Sequence, residues 1–324
     1  MLRYVALKVG RALFVVWAAF TVTFVLLFVL PANPVDLLFD PGEINSIPQD
    51  VRDRVAASYG FDKPVLVQYF DRLGHAVRGD FGTSVQSGRA VDSAIADSLP
   101  STLVLATGAL VLALLIAFVI ALVATTTRRR WIRGLAETLP SASVSVPVFL
   151  LGVIALQVFS FRLGWFPSFG NSGPRSAVLP MVTLAIPVSG PIAQLLVRNF
   201  ASEFRSGYVT TSRAKGATRT AIVVGDVLRN ASLPALTIAG ITFGNLIAGS
   251  VITETVFARN GIGRLTQTAV NTLDTPLVQG IVVFVAASFA LINLLVDLIY
   301  PLLDPRLRAS LTGPVRSVVA GSPA

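Results

Sequence analysis

Six long stretches of this chain carry no charged side chain, and polar segments separate them. They comprise residues 12–35, 98–127, 138–161, 176–197, 230–253 and 275–296. A helix needs about 20 residues to cross a hydrocarbon layer that is ~30 Å thick, and each stretch is long enough to do so. Because a backbone in lipid must satisfy its own hydrogen bonds, the pattern predicts an all-α integral membrane protein with six transmembrane helices.

The polar segments divide the predicted protein into four parts. These are the N-terminus with the first helix (1–35), a lobe (36–97), a five-helix core (98–308) and a flexible tail (309–324). Within the lobe, Ser46 and Gln49 have the spacing of a capping box, and Gly60 is the expected end of that helix. A second helix is predicted from Pro64 to about Arg78. The lobe is therefore expected to be helical.

Prolines are concentrated in the third and fourth charge-free stretches and beside them. They are Pro140, Pro147, Pro180, Pro187 and Pro191. Proline removes a backbone donor and clashes with the preceding turn, so these two helices are predicted to be kinked.

The segment 198–233, between the fourth and fifth stretches, is longer than a connection between two helices needs. Small and hydroxyl residues from Thr210 predict a short helix that ends at Gly216. A second helix, from about 219 to 230, would place its apolar residues on one face. Those residues are Ile222, Val223, Val227 and Ala231. Such an element suits either docking to a soluble partner or attachment to an anionic membrane surface.

The distribution of charge predicts the topology. The net charge is +9, and the basic residues cluster in the N-terminus, at 128–133, in the segment 198–233 and in the tail. The short intervening loops hold only Arg162, Arg175, Arg259 and Arg264. By the positive-inside rule both termini are cytoplasmic and the lobe is extracytoplasmic. Basic residues that flank apolar stretches in this way favour membrane topology over nucleic-acid binding.

The candidate chemistry is sparse. The chain has no cysteine and one histidine, His75, which we interpret as a polar residue in an exposed loop rather than a metal ligand. No phosphate-binding G-x-x-x-x-G-K-[ST] loop is present, so we predict no enzyme activity, cofactor or metal in this chain. The acids Glu254 and Asp297 lie near the ends of their stretches. No proton relay is evident, which disfavours a secondary transporter, and nothing supports an intramembrane enzyme.

Three polar residues of the fifth stretch and its end are candidates for a path or gate. Glu254 has two interpretations: an interfacial acid paired with Arg259 or Arg264, or a member of an outer gate. Thr242 and Asn245 are assigned to a translocation path, with interhelical hydrogen bonding among small residues as the alternative.

Four ordered motifs resemble one family. The segment GYVTTSRAKG at 207–216, followed by LRNASLP at 228–234, resembles the cytoplasmic "EAA" loop of permeases in binding-protein-dependent ABC importers. It is most similar to the dipeptide/oligopeptide/nickel branch. GDFGTS at 79–84, TETVF at 253–257 with GIGRL after it, and NLLVDLIY at 293–300 with LDPR after it resemble further motifs of that branch. The long outer lobe resembles the B-type subunit.

The resemblance implies a role for each matched segment. The EAA loop would form a coupling helix that contacts an ATPase subunit, although Thr210, Thr211 and Ser212 replace the family's acid and alanines. The implied coupling residues are Tyr208, Thr210, Thr211, Ser212, Arg213, Ala214, Lys215 and Gly216. The resemblance also implies that an extracytoplasmic substrate-binding protein contacts Asp80, Phe81, Gly82 and Ser84.

The implied function is a permease subunit of an ABC importer in the bacterial cytoplasmic membrane. Its partners would be a second homologous permease, ATPase subunits, the binding protein and the lipid bilayer. ATP and Mg²⁺ would be bound only by the ATPase subunits. Peptides are the expected cargo. The alternatives are an importer of nickel or another small solute and, outside this family, an ATP-independent secondary transporter.

Overall fold

A computed structural model describes residues 2–29, 48–58, 63–231 and 233–303, and regular structure in these ranges is helical apart from one bridge between Thr83 and Ala90. The helices of the first half are α1 (Leu2–Phe24, continued by a π-helical turn Val25–Val29), α2 (Gln49–Ser58), α3 (Val65–Val77), α4 (Val91–Thr126), α5 (Arg130–Ser145), α6 (Val148–Ala155, continued by a π-helical segment Leu156–Arg162) and α7 (Arg175–Glu203).

The second half begins with short helices and ends with a long one. Its helices are α8 (Gly207–Ala214), α9 (Arg219–Ile222), a π-helical turn (Val223–Val227), α10 (Leu228–Ala231), α11 (Leu233–Gly249), α12 (Val251–Val256), α13 (Ile262–Asn271) and α14 (Thr275–Leu303).

The described helices confirm the all-α membrane class, and they differ in how simply each could cross a bilayer. Four helices, α1, α4, α7 and α14, are uninterrupted and apolar enough to cross a bilayer. A fifth crossing is possible only if the bent pair α5–α6 is taken as one span. The predicted stretch 230–253 is not one long helix, because α11 has 17 residues and α12 follows separately.

The predicted third span is broken at a proline. Helices α5 and α6 meet at an angle of 97° rather than forming one rod through 138–161. Val146 is extended, with φ −93° and ψ 123°, as expected for a residue that precedes proline. Pro147 then starts α6 from the N-cap position. The remaining prolines of this set lie inside α5 and α7, and both helices stay continuous. Whether a proline interrupts the helix therefore depends on its position relative to the helix ends.

The centre of the molecule is the contact between α4 and α7, and small residues make it close. Ala109, Ala113, Ala117 and Ala121 recur every fourth residue along α4 and are fully buried. Gly190 of α7 permits a similar approach to α5, since a Cβ there would lie 2.6 Å from the carbonyl oxygen of Pro140. Small residues let helix backbones approach in a bilayer, where apolar area alone gives no preference for protein over lipid.

The lobe is attached to the first helix through aromatic packing. Tyr69 of α3 packs edge-on against Phe20 and Phe24 of α1, and its hydroxyl lies 2.8 Å from that of Thr21. The predicted helix from Pro64 is confirmed as α3. Ser46 and Gly60, the expected ends of the first lobe helix, lie outside the described residues. His75 is exposed as predicted, but it lies on α3 and not in a loop.

Candidate functional site

The segment 198–233 forms the two predicted helical parts, with a glycine between them. Helix α8 covers Gly207–Ala214, and Gly216 adopts φ +82°, a left-handed conformation that glycine takes without steric cost. The chain then returns through α9 and α10. Asn199 Nδ2 donates to the carbonyl oxygen of Ala231 at 3.3 Å, which fixes the returning segment to the end of α7.

The base of this segment is apolar and buried. Val209 of α8 and Val227 of the returning segment are fully buried, and they pack with Phe200 of α7. The predicted apolar face is confirmed, since its four residues Ile222, Val223, Val227 and Ala231 are all buried. Because Val209 of α8 is buried together with this apolar face, the opposite side of α8 points away from the molecule.

The opposite side of α8 is mostly exposed. Thr210, Thr211, Arg213, Ala214, Lys215 and Gly216 are exposed, and Tyr208 and Ser212 are half-buried. Tyr208 donates to the carboxylate of Glu203 at the end of α7. The arrangement therefore presents a short, rigidly backed helix with hydroxyl and basic side chains on its outer face.

Glu254 is at the centre of the opposite end of the molecule and is fully buried. Its carboxylate accepts hydrogen bonds from Thr102 Oγ1 at 2.7 Å, from the Gly263 amide at 2.7 Å and from the Arg264 amide at 3.2 Å. The two amides belong to the first turn of α13, where a negative charge is favoured by the helix dipole. One carboxylate thus connects α4, α12 and α13.

The expected ion pair of Glu254 with Arg259 or Arg264 is not formed within the described residues, and this corrects that interpretation. The Arg259 guanidinium instead donates to Ser101, Ser176 and the carbonyl oxygen of Gly170 at 3.3–3.5 Å. Burial lowers the pKa of Arg259, and the charge of Glu254 opposes that shift. Two amides and a hydroxyl stabilise the charge of this carboxylate through hydrogen bonds.

The glycines after Glu254 are explained by its position. A Cβ at Gly261 would lie 2.3 Å from the Glu254 carboxylate, and one at Gly263 would lie 2.4 Å from Cα of Val251. The spacing T-E-x-V-F…G-I-G is therefore the pattern of a buried acid and the glycines that make room for it.

A second buried carboxylate, Asp274, fixes the segment that follows the lobe helix α3 to α14. Its oxygens accept hydrogen bonds from the Ser84 hydroxyl, the Val85 amide at 3.3 Å and the Leu277 amide at 3.3 Å. Leu277 lies in the first turn of α14, so Asp274 caps that helix and anchors the loop at once. Asp274 was not among the predicted site residues. Its signal was an acid placed directly before a charge-free stretch, with Pro276 in the first turn.

The predicted docking residues divide into an inner and an outer pair. Ser84 is buried against Asp274 and Phe81 is half-buried, close to Gly280 of α14. Asp80 and Gly82 are exposed. The Gly82 amide and then the His75 side chain donate to Asp80, and both lower the pKa of its carboxyl group. Only the outer pair is accessible to a partner in this conformation.

Helix α11 has one face on α14 and one face without a neighbour in the described chain. Gly240 and Gly244 face Val296 and Phe289 of α14, with no room for a Cβ. Asn245 is exposed and Thr242 is half-buried, so these predicted path residues lie away from that contact. The exposed positions of α11 include Ile241, Asn245 and Ala248, and Ile252 of α12 continues the same spacing.

Two family models match this chain. The model described as "Binding-protein-dependent transport system inner membrane component" matches residues 113–309. The model described as "Binding-prot-dependent transport system membrane comp, N-term" matches residues 1–106.

Curated relatives match over nearly the whole length. The glutathione transport system permease protein GsiC of Salmonella typhimurium is 34% identical over 308 residues, which are 95% of this chain and 99% of the relative. GsiC of Escherichia coli strain K12 is 33% identical over the same shares of both chains. A solved structure titled as an inward-facing MetNI methionine ABC transporter matches with a TM-score of 0.56 and 19% identity. It covers 65% of this chain and 96% of that one, and at this identity the likeness shows the fold alone.

Proposed function

This chain belongs to the family of binding-protein-dependent transport system inner-membrane components, and we propose that it forms half of the path for short peptides in a bacterial ABC importer. Membership establishes an importer permease of the dipeptide/oligopeptide type, which is a transport subunit and not a catalytic one. The peptide cargo, the particular contacts and the orientation are the proposal.

The observation that carries the proposal is the exposed face of α8 on its buried apolar base. A helix that must transmit motion has to be held by its own subunit more firmly than by its partner. Val209 and Phe200 provide that hold, while the hydroxyl and basic residues remain available. We assign this outer face to the ATPase subunit, which would supply the ATP-driven movement.

The orientation follows from which groups share an end of the bundle. Lys8 of α1 pairs with Asp297 near the end of α14. Gly240 and Gly244 of α11 pack on Val296 and Phe289 of α14, so these two helices run in opposite directions and α14 ends beside the start of α11. The N-terminal helix therefore begins at the same end as α8, and the basic loop at 128–133 is there too. We place this end in the cytoplasm, in accordance with the positive-inside rule.

The two remaining partners are assigned to surfaces at other places. The uncovered face of α11, with Ile241, Asn245 and Ala248, is assigned to the second permease and the path between the two subunits. The exposed pair Asp80 and Gly82 is assigned to the binding protein. Short peptides are proposed as cargo because the relatives are named for transport of glutathione, itself a short peptide.

The docking proposal is tested by a matched pair of variants. Ala214→Arg places a bulky cation on the outer face of α8, and Ala96→Arg makes the same change at an exposed position near the outer end of α4. The complex is purified in mild detergent from the native host, and its subunits are quantified by mass spectrometry. We expect Ala214→Arg to reduce the recovered ATPase subunit about 10-fold or more and Ala96→Arg to leave it unchanged. Equal recovery in both variants would reject α8 as the docking site.

The cargo proposal has a separate test. The purified complex is reconstituted with its binding protein, and ATP-dependent uptake of labelled di- and tripeptides is compared with uptake of free amino acids and nickel. Uptake of peptides alone supports the assignment. Uptake of nickel alone would reject peptides as the cargo and identify the chain as part of a nickel importer. Uptake that needs no ATPase subunit would reject an ABC importer.

A further inference from the structure

A lateral cavity lies between α1 and α14 at the end of the bundle that we place in the cytoplasm. Its volume is about 180 Å³, and we name it the α1–α14 slot. Its polar end contains Lys8, Arg11 and Asp297, and its deeper end contains Val15, Phe289 and Leu294. The polar end lies at the edge of the charge-free stretch 12–35, and the apolar end lies within it.

The charges in the slot do not cancel. Lys8 Nζ lies 2.6 Å from Asp297 Oδ2, so this carboxylate already has a cation. Asp297 thereby connects α14 to α1. Arg11 is exposed, and it makes no hydrogen bond or ion pair with the part of the chain that the structure describes. One positive charge therefore remains at the mouth.

An uncompensated guanidinium at this depth needs an anion. Arg11 is the last charged residue before 24 residues without charge, so α1 places it where hydrocarbon meets headgroups. A cationic side chain at such a boundary extends towards the interface, and phosphate is the anion there. The planar guanidinium matches phosphate with two parallel hydrogen bonds, which a carboxamide cannot reproduce.

The deeper part of the slot favours a ligand that has an apolar chain attached to its phosphate. Val15 is 45% exposed, and with Phe289 and Leu294 it forms an apolar wall that continues directly below Arg11. A free anion gains nothing from this wall, whereas an acyl chain that follows its phosphate into the bilayer contacts it. Basic pockets between transmembrane helices on the cytoplasmic side have this combination of features.

We propose that the α1–α14 slot binds an anionic phospholipid, with the phosphate on Arg11 and an acyl chain along Val15 and Phe289. The bound lipid joins the two parts of the molecule that match separate family models, since α1 lies within 1–106 and α14 within 113–309. The site is independent of the cargo and of the ATPase contact.

Native mass spectrometry of the assembled transporter tests the proposal. The complex is released from bilayers of phosphatidylglycerol and phosphatidylethanolamine in mild detergent, and retained phosphatidylglycerol is counted. Arg11→Gln is compared with Arg128→Gln, which removes an exposed cation from another predicted cytoplasmic loop. We expect Arg11→Gln to reduce retained phosphatidylglycerol about 5-fold or more and Arg128→Gln to leave it unchanged. Equal losses would mean general attraction of anionic lipid, and no loss with Arg11→Gln would overturn the site.

Contact between the acyl chain and the apolar wall is tested with a variant of that wall and with competing phosphates that have no acyl chain. Val15→Trp fills the apolar wall from an exposed position, and we expect it to lower lipid retention while subunit recovery and melting temperature stay close to those of the wild type. Glycerol phosphate and inorganic phosphate are added as headgroup probes, and neither is expected to displace the lipid at millimolar concentration. Displacement by either probe, or unchanged retention with Val15→Trp, would overturn the lipid assignment in favour of a simple anion site.

Discussion

The two ends of this molecule are held together by different physical means. At the outer end, Glu254 and Asp274 are buried carboxylates whose oxygens accept hydrogen bonds from several segments. At the coupling end, Val209, Phe200 and Val227 are buried side chains that make only apolar contacts. Hydrogen bonds to a buried charge depend steeply on geometry, whereas apolar contact is non-directional.

The difference suggests how each end responds to movement. A small displacement of α13 would remove hydrogen bonds from Glu254 and leave a buried charge without compensation, so the outer end should hold one arrangement or leave it abruptly. The apolar contacts at the base of the coupling segment weaken gradually with displacement, while the hydrogen bonds Asn199–Ala231 and Tyr208–Glu203 keep the segment attached to α7. This difference between the two ends suits a subunit that is moved by its ATPase partner at the coupling end and opens or closes at the opposite end.

The largest expected effect is that of removing the acid at the outer end. Glu254→Ala leaves the Thr102 hydroxyl and the Gly263 and Arg264 amides without their acceptor and creates a cavity. We expect a loss of about 3 kcal/mol or more in the free energy of unfolding, together with loss of transport. Thermal unfolding of the purified complex measures the loss of stability, and Thr255→Ala, at the half-buried neighbouring position, is the control. Equal melting temperatures for both variants would contradict the role given to Glu254.

A steric test of the same end comes next in size. Gly261→Ala places a methyl group 2.3 Å from the Glu254 carboxylate, whereas Gly249→Ala meets nothing within 4 Å. Gly261 has φ −137°, which any residue adopts, so the effect is steric and not a matter of backbone strain. We expect a cost of about 1–3 kcal/mol for Gly261→Ala and less than about 0.5 kcal/mol for Gly249→Ala. If the two variants have equal melting temperatures, Gly261 does not lie as close to the Glu254 carboxylate as the structure shows.

Much of the architecture could be predicted because apolar length is a local property of the chain. The charge-free stretches located α4, α7 and α14, and the spacing of Ile222, Val227 and Ala231 located the buried face of the coupling segment. The break at Pro147 could not be distinguished from the effects of the other prolines, because the sequence does not show which proline lies at a helix end and which lies inside a helix.

The bonding of the outer end was less predictable, since its partners are far apart in sequence. The sequence supports two interpretations of Glu254, an ion pair with Arg259 or Arg264 and a member of an outer gate, and neither identifies its hydrogen-bond donors. Thr102 is more than 150 residues away from it, and Ser84 is similarly remote from Asp274. A single sequence shows which residues are polar and where the chain turns. It does not show which distant donor reaches a given carboxylate.

A smaller effect is expected when the apolar base of the coupling end is reduced. Val209→Ala removes two methyl groups from a fully buried side chain, and we expect a cost of about 1–2 kcal/mol. The outer face of α8 is unchanged, so the ATPase subunit should still copurify while ATP hydrolysis becomes partly uncoupled from uptake. The ratio of ATP hydrolysed to peptide transported measures this. Thr210→Ala, on the exposed face, is the control for stability. Loss of the ATPase with a normal ratio in the remaining complexes would contradict the division between base and face.

The smallest effect is expected from Asp80, whose interactions lie at the exposed surface of the outer end. Its pKa is lowered by the Gly82 amide and then by His75, so the ionised form is favoured in the folded protein. A depressed pKa contributes stability above the unfolded value of about 3.9, and that contribution is lost as the pH falls through the folded value. Because Asp80 is exposed and screened by solvent, the contribution should be only a few tenths of a kcal/mol. Asp80→Asn should therefore melt slightly below the wild type at pH 7, and the difference should disappear at pH values below the folded pKa. A difference that persists at low pH would mean that Asp80 acts through its shape and not through its charge.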